Sequence, residues 1–185
     1  MGVKMDGVAD IHSIQAQRSI DILRESYLFL RPLSADYPAF REWYWSQVAC
    51  GVVDGSRRIV RIERYGELRA VGIAKSDGVE RKICTVRVAP DFANRGHGVR
   101  LFENLLRWLD TDRPHLSVGQ AKLQQFERIF DHYGFVLTKS ITDRYRKGMI
   151  EHSYNGEEST LTNPKAIAAV STAFISSASA EAVGS

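Results

Sequence analysis

The stretch that most constrains this chain is Val86-Arg-Val-Ala-Pro-Asp-Phe-Ala-Asn-Arg-Gly-His-Gly-Val-Arg-Leu101. It begins in a β-rich run, turns at Pro90 and passes through two glycines. Beyond them Val99, Phe102, Leu105, Leu106 and Leu109 recur at helical spacing. A helix entered in this way presents its first N–H groups unpaired, with the positive end of the peptide dipoles behind them. Small residues let that backbone approach an anion closely. The segment therefore predicts a phosphate-binding turn made of Arg95, Gly96, His97, Gly98, Val99 and Arg100, of a size that suits a pyrophosphate. The spacing excludes two common phosphate motifs. No Gly-Lys-Ser/Thr follows, as a P-loop requires, and Leu101 stands where a dinucleotide fingerprint has its third glycine.

The remaining pattern fits around this unit. Residues 27–30 read as a first strand. Ser34 or Asp36 then caps a helix with Tyr37, Phe40, Tyr44 and Val48 on one stripe, ending at Gly51. Residues 58–63 and 68–74 form a predicted hairpin about Tyr65-Gly66-Glu67, and 83–88 a further strand that Pro90 stops. Residues 115–118 read as a short strand. Leu123, Phe126, Ile129, Phe130 and Tyr133 mark a second amphipathic helix, with Gly134 where the chain needs positive φ. A strand over 135–137 and a closing hairpin through Lys147-Gly148 to Tyr154 complete the order β-α-β-β-β-α-β-α-β-β. This is an α/β (α+β) fold, a mixed sheet flanked by helices. The expected division is an N-terminal extension over 1–25, one domain over 26–156 and a Ser/Ala-rich tail over 157–185, whose apolar patch at 166–175 is a candidate docked helix.

At 185 residues the chain is long enough to bury a core without disulfides or metal. Cys50 and Cys84 show no ligand or disulfide spacing, so no metal site is expected, and a reducing cytoplasm suits them. No segment has the length and apolarity of a signal peptide or a membrane span. The net charge of +3 is unevenly placed: residues 57–100 carry eleven Lys/Arg against five acids, net +6. A basic middle favours an anionic partner, while a solvated outer sheet face gives the same pattern.

Val-x-Val-x-Pro over 86–90, Arg95-x-x-Gly98, and Tyr133-Gly134-Phe135 after a helix together resemble the GNAT superfamily of acyl-CoA N-acyltransferases, over roughly residues 26–155. The resemblance implies a bent, mixed, mostly antiparallel sheet in which two central strands splay apart, here 83–88 and 115–118. It implies acetyl-CoA as co-substrate, with the backbone of Val86 and Val88 pairing to the pantetheine and Arg95 to Arg100 surrounding the pyrophosphate. It also implies an amine-bearing acceptor, small molecule or protein, with no membrane partner and a homodimer as a further expectation. Two positions depart from the family pattern. Arg100 stands where a small residue is usual, and Phe130 where the family often has a tyrosine that protonates the leaving thiolate. Tyr133 is then the candidate acid, with His132, Cys84 and Ser117 behind it. Glu80 is the candidate base, since Lys82 occupies the position where an acid is sometimes found; water-mediated deprotonation is the alternative. Trp43, Tyr44 and Trp45 are candidates for an acceptor wall or for ordinary core. An acetyltransferase acting on aminoacyl-tRNA, drawn from the arginines of 57–69, and a non-catalytic CoA-binding module, drawn from Phe130, are the competing readings.

Overall fold

The computed structural model describes residues 6–156, with side chains from residue 14 onward. The 157–185 tail and its 166–175 patch lie outside the described residues. Six strands form one sheet in the order β1-β2-β3-β4-β6-β5, with β1 at Arg57–Arg64, β2 at Glu67–Ser76, β3 at Arg81–Val88, β4 at His115–Gly119, β5 at Leu137–Thr142 and β6 at Ile150–Tyr154. Every neighbouring pair is antiparallel except β3 and β4, which run parallel. The sheet is therefore mixed, as the element order predicts, and mostly antiparallel, as the resemblance implies.

The first predicted strand is not there. Tyr27, Leu28, Phe29 and Leu30 form the last turn of α1, Asp6–Leu30, which ends at the Arg31–Ala35 3-10 turn with Pro32 in its first positions. Four apolar residues in a row fit either a buried strand or one end of a helix, and periodicity cannot separate them. Packing decides it here. Ser26 and Leu30, four apart, are both fully buried, and Tyr27 and Phe29 lie against the same cluster. The following helical stripe forms from Phe40, after Ala39 rather than from a cap at Ser34 or Asp36, and runs past Gly51 in three pieces: α2 at Phe40–Trp43, a π turn at Tyr44–Val48 and α3 at Ala49–Asp54. An i, i+4 series drifts about 40° per step on an α-helix, and a wider turn offsets that drift. Phe40, Tyr44 and Val48 accordingly share one buried line, and the Tyr44 hydroxyl donates to the Leu23 carbonyl at 2.8 Å.

Each face of the sheet carries its own core. On one, α1 to α3 cover Val71 and Ile73, with Ile59 and Leu68 beside them. On the other, α4 at His97–Leu109 and α5 at Leu123–Tyr133 cover Ala70, Ala74, Ile83, Leu116 and Val118. Leu101, Phe102, Leu105, Leu106 and Leu109 form the buried stripe of α4, each worth about 1.5–3 kcal/mol of burial. The helix comes close enough to β2 that any Cβ at position 72 would force the leucines of α4 to shift. A Cβ there would lie 2.8 Å from Leu105 Cδ1 and 3.2 Å from Leu101 Cγ. Gly72→Val is expected to cost about 2–3 kcal/mol by overpacking, visible as a lowered urea midpoint with an unchanged m-value. Gly134 caps α5 at φ 63°, and Phe135 N–H returns to the Phe130 carbonyl at 2.8 Å. That turn draws Phe135 into the core, so β5 starts at Leu137 rather than at 135.

Candidate functional site

The parallel pair β3–β4 touches at only two positions, Lys82 with His115 and Ile83 with Leu116. Cys84 is the reason on the β3 side. Pairing with β2 passes from Thr85 opposite Ile73 to Ile83 opposite Ala74, so Cys84 is one residue too many, a bulge that redirects the strand. Beyond it the two strands part and leave a wedge, with residues 84–88 on one wall and 117–119 on the other. Ala89 donates its N–H to the Arg69 carbonyl of β2 at 2.9 Å. Backbone groups alternate sides along a strand, so those of Val88 and Val86 face the wedge, where no strand among the described residues pairs with them.

The wedge ends at the start of α4. Gly96 sits at φ 77° as the N-cap, and no side chain bonds to the first N–H groups of the helix. Gly98 lies between the two walls' helical and strand supports: a Cβ there would be 3.5 Å from Ile129 Cδ1 of α5 and 3.9 Å from Val88 Cγ2 of β3. Phe92 organises the loop. His97 meets it edge-on at 6.0 Å, and the guanidinium carbons of Arg69 and Arg95 lie 4.3 and 5.7 Å from its ring centre. Arg95, Val99 and Arg100 are exposed. The predicted turn residues are thus gathered at one end of the cleft, with unpaired N–H groups, two arginines at the surface and no acid bonded to the helix start. The uncapped N–H groups and the open space at Gly96 fit a pyrophosphate.

The predicted acid and base lie elsewhere in this arrangement. Glu80 is at the closed end of the wedge, where its carboxylate meets His115 Nδ1 at 2.8 Å and Lys75 Nζ at 3.0 Å, with Lys82 at 3.9 Å. Those contacts, His115 foremost, hold its carboxyl down at about 2. Tyr133 packs near Phe102 and Phe135 on the α4–α5 side, and burial raises its hydroxyl. His132 is exposed, and burial raises the Cys84 thiol while Arg57 sits 3.4 Å from its sulfur. Phe130 is 4% exposed and wedged among Phe126, Phe135 and Tyr154. Trp43 and Tyr44 belong to the α1–α3 core, whereas Trp45 is exposed against Tyr27.

Glu151 was not legible in the sequence. On β6 it faces Gly119 of β4, 6% exposed, and hydrogen-bonds with Ser117 and Tyr37. Burial raises its carboxyl, with Arg144 and Lys82 pulling the other way. Only the spacing of β6 against β4 brings it to the wedge wall. A single Glu in a short edge hairpin carries no such signal.

The basic middle is largely consumed internally. Arg61 pairs with Glu25 and Glu63 at 2.6 Å, and Arg69 with Glu67 at 3.7 Å. Arg81 bonds the Asp110 carbonyl and Arg87 the Phe29 carbonyl at the end of α1. Among the described residues no helix is long and apolar enough to cross a membrane, and no group of three or more His, Cys, Asp or Glu could hold a metal ion.

No family model matches the chain, and no curated protein matches it. Among solved structures it is similar to nourseothricin acetyltransferase, at 17% identity and a TM-score of 0.49, over 55% of this chain and 65% of that one. An aminoglycoside 6'-N-acetyltransferase complexed with coenzyme A matches at 11% and 0.49, over 66% of this chain and 84% of that one. The spermidine/spermine N-acetyltransferase from Vibrio cholerae matches at 13% and 0.47, over 57% and 69%. At these identities the likeness is confined to the path of the chain.

Proposed function

We propose that the chain is an acyl-CoA-dependent N-acyltransferase of the GNAT type that moves an acetyl group from acetyl-CoA to a primary amine. The observation that carries this reading is the wedge itself. A cleft with one unpaired strand edge, ending at an uncapped helix N-terminus, has the shape and the donors for a pantetheine arm leading to a pyrophosphate. Val86 and Val88 offer N–H and C=O groups to the amides of that arm. The N–H groups from His97 to Arg100 meet the pyrophosphate, and Arg95 and Arg100 add charge.

In this reading the thioester carbonyl sits just beyond Ile83, where β3 and β4 stop pairing. An N–H aimed there polarises the carbonyl as negative charge grows on its oxygen, and costs no reorganisation during reaction. The acceptor nitrogen then bonds to the acyl carbon, the C–S bond breaks and the thiolate takes a proton. Positioning supplies much of the acceleration. Phe130 is closed off in an aromatic cluster, which speaks against a proton donor acting from that position. Phe130→Tyr is expected to lower stability by about 1–3 kcal/mol, the cost of a buried hydroxyl without a partner, measured by urea unfolding. The pairing of Arg61 and Arg69 within the fold weighs against the RNA-directed alternative, while Arg58 and Arg64 stay exposed.

The test is thiol release. With acetyl-CoA and a panel of primary amines, the reading expects release of free CoA matched by acetylated amine in mass spectrometry. Tight acetyl-CoA binding with no turnover on any amine would instead favour the non-catalytic module.

A further inference from the structure

We infer that Arg69 and Arg95, gathered on the ring of Phe92, form a seat for a phosphomonoester dianion, and that its occupant is the ribose phosphate of acyl-CoA. This rests on the acyl-CoA reading above and gives that site a second anion subsite, apart from the pyrophosphate at the start of α4. The residue that defines it comes from β2. Ile62 of β1 faces Ala70 and Glu63 faces Leu68, so Arg69 is one residue too many, a bulge that turns its side chain out of the strand's alternation. Its carbonyl accepts from Ala89 N–H at 2.9 Å, which ties the bulge to the point where β3 gives way to the loop before α4.

The Arg69 guanidinium carbon lies 4.3 Å from the centre of the Phe92 ring. Arg95, at the other end of the loop, comes to 5.7 Å of the same centre, and His97 meets the ring edge-on at 6.0 Å. Phe92 is a positioning residue, because one aromatic ring holds two cations from separate elements at one place. The surroundings of Arg69 call for an anion. Its side chain is 13% exposed, its Nε is buried without a partner, and its guanidinium makes no hydrogen bond to any described residue. Its ion pair with Glu67, at 3.7 Å, is beyond hydrogen-bond reach, and that acid is 58% exposed. A charge so withdrawn from water is ordinarily paired and hydrogen-bonded. A second guanidinium at the same ring adds repulsion, which an anion between the two relieves. Acyl-CoA carries a phosphate beyond its pyrophosphate, a monoester on the ribose with a charge of about −1.5 to −2 at pH 7. A guanidinium fork matches the oxygens of such a group, where a lysine offers one point charge. Arg95 serves both subsites, and Arg69 serves the second alone.

The probes are CoA and dephospho-CoA, which lacks only the ribose phosphate, titrated calorimetrically into the full chain at about 0.15 M salt. The expected result is that CoA binds at least about tenfold more tightly than dephospho-CoA, as charge-assisted contacts require. Arg69→Gln should bring the two affinities to within about threefold of each other while the affinity for dephospho-CoA stays in place. Phe92→Leu keeps both arginines and removes their shelf, and should lower the ratio several-fold. Should loss of the charge at position 69 unfold the chain, Arg69→Lys keeps the charge without the fork and should also lower the ratio several-fold. Equal affinities in the unsubstituted protein, a ratio untouched by a folded variant at position 69, or an equal fall in both affinities overturns the inference. Binding of neither probe would remove the acyl-CoA reading itself, a result distinct from equal binding of both.

Discussion

Gly98→Asp is expected to weaken acetyl-CoA binding by about 100-fold or more while the free protein stays folded, and is even slightly stabilised. The two effects come from one charge. Position 98 is in the first turn of α4, where a carboxylate meets the positive end of the helix and contributes about 0.3–1 kcal/mol of stability. Its Cβ would make ordinary contacts with Ile129 and Val88, at 3.5 and 3.9 Å, so the fold tolerates it. The same carboxylate occupies the place where unpaired N–H groups would meet phosphate, and it repels that phosphate at short range. Calorimetric titration beside urea unfolding separates the two. Gly98→Ala, which adds bulk without charge, should lose much less affinity. Unchanged affinity in the Asp variant would move the phosphates away from α4 altogether.

Glu80→Gln is expected to cost about 2 kcal/mol of stability at pH 7, with little change in turnover per folded molecule. The folded carboxyl sits at about 2 against an ordinary value of 4.5, mainly because it accepts from His115 and then from Lys75 and Lys82. A lowered folded value means stability fully present above 4.5 and lost as the pH falls through about 2. The full shift would be worth about 3 kcal/mol, and partial solvent access reduces it. Urea midpoints of the two proteins should therefore differ at pH 7 and converge toward pH 2. If Glu80 were instead the base for the amine, turnover would fall by about 10²-fold or more with it.

The strand-loop-helix unit was legible because each of its parts is local. Alternation before Pro90, the glycines and the 99–109 stripe lie within two dozen residues, and α4 and β3 form where the pattern puts them. The hairpin of β1 and β2 and the glycine cap of α5 are local in the same sense. What failed was the assignment of residues 27–30, because a run of four apolar residues takes its conformation from the helix that precedes it and from the Leu30 packing that follows. Glu151, and its grouping with Tyr37 and Ser117, was out of reach for a different reason. The three come from the Arg31–Ala35 region, β4 and β6, over a hundred residues of chain, and only the register of Gly119 against Glu151 joins them. Charge counting left an anion-binding face and a solvated sheet face both open for the arginines of 57–69; Arg61 and Arg69 are paired within the fold, while Arg58 and Arg64 are exposed.

Hydrogen-deuterium exchange with and without acetyl-CoA tests the central claim most directly, since that claim concerns named backbone groups. On adding acetyl-CoA, peptides spanning 84–88 and 96–100 should slow their exchange most. The interior of β1, which the cleft does not reach, should stay as it was. The same pattern should be absent with NAD. Binding of acetyl-CoA with protection confined to other segments, or no protection at saturating concentration, would contradict the placement of the donor in the β3–β4 wedge.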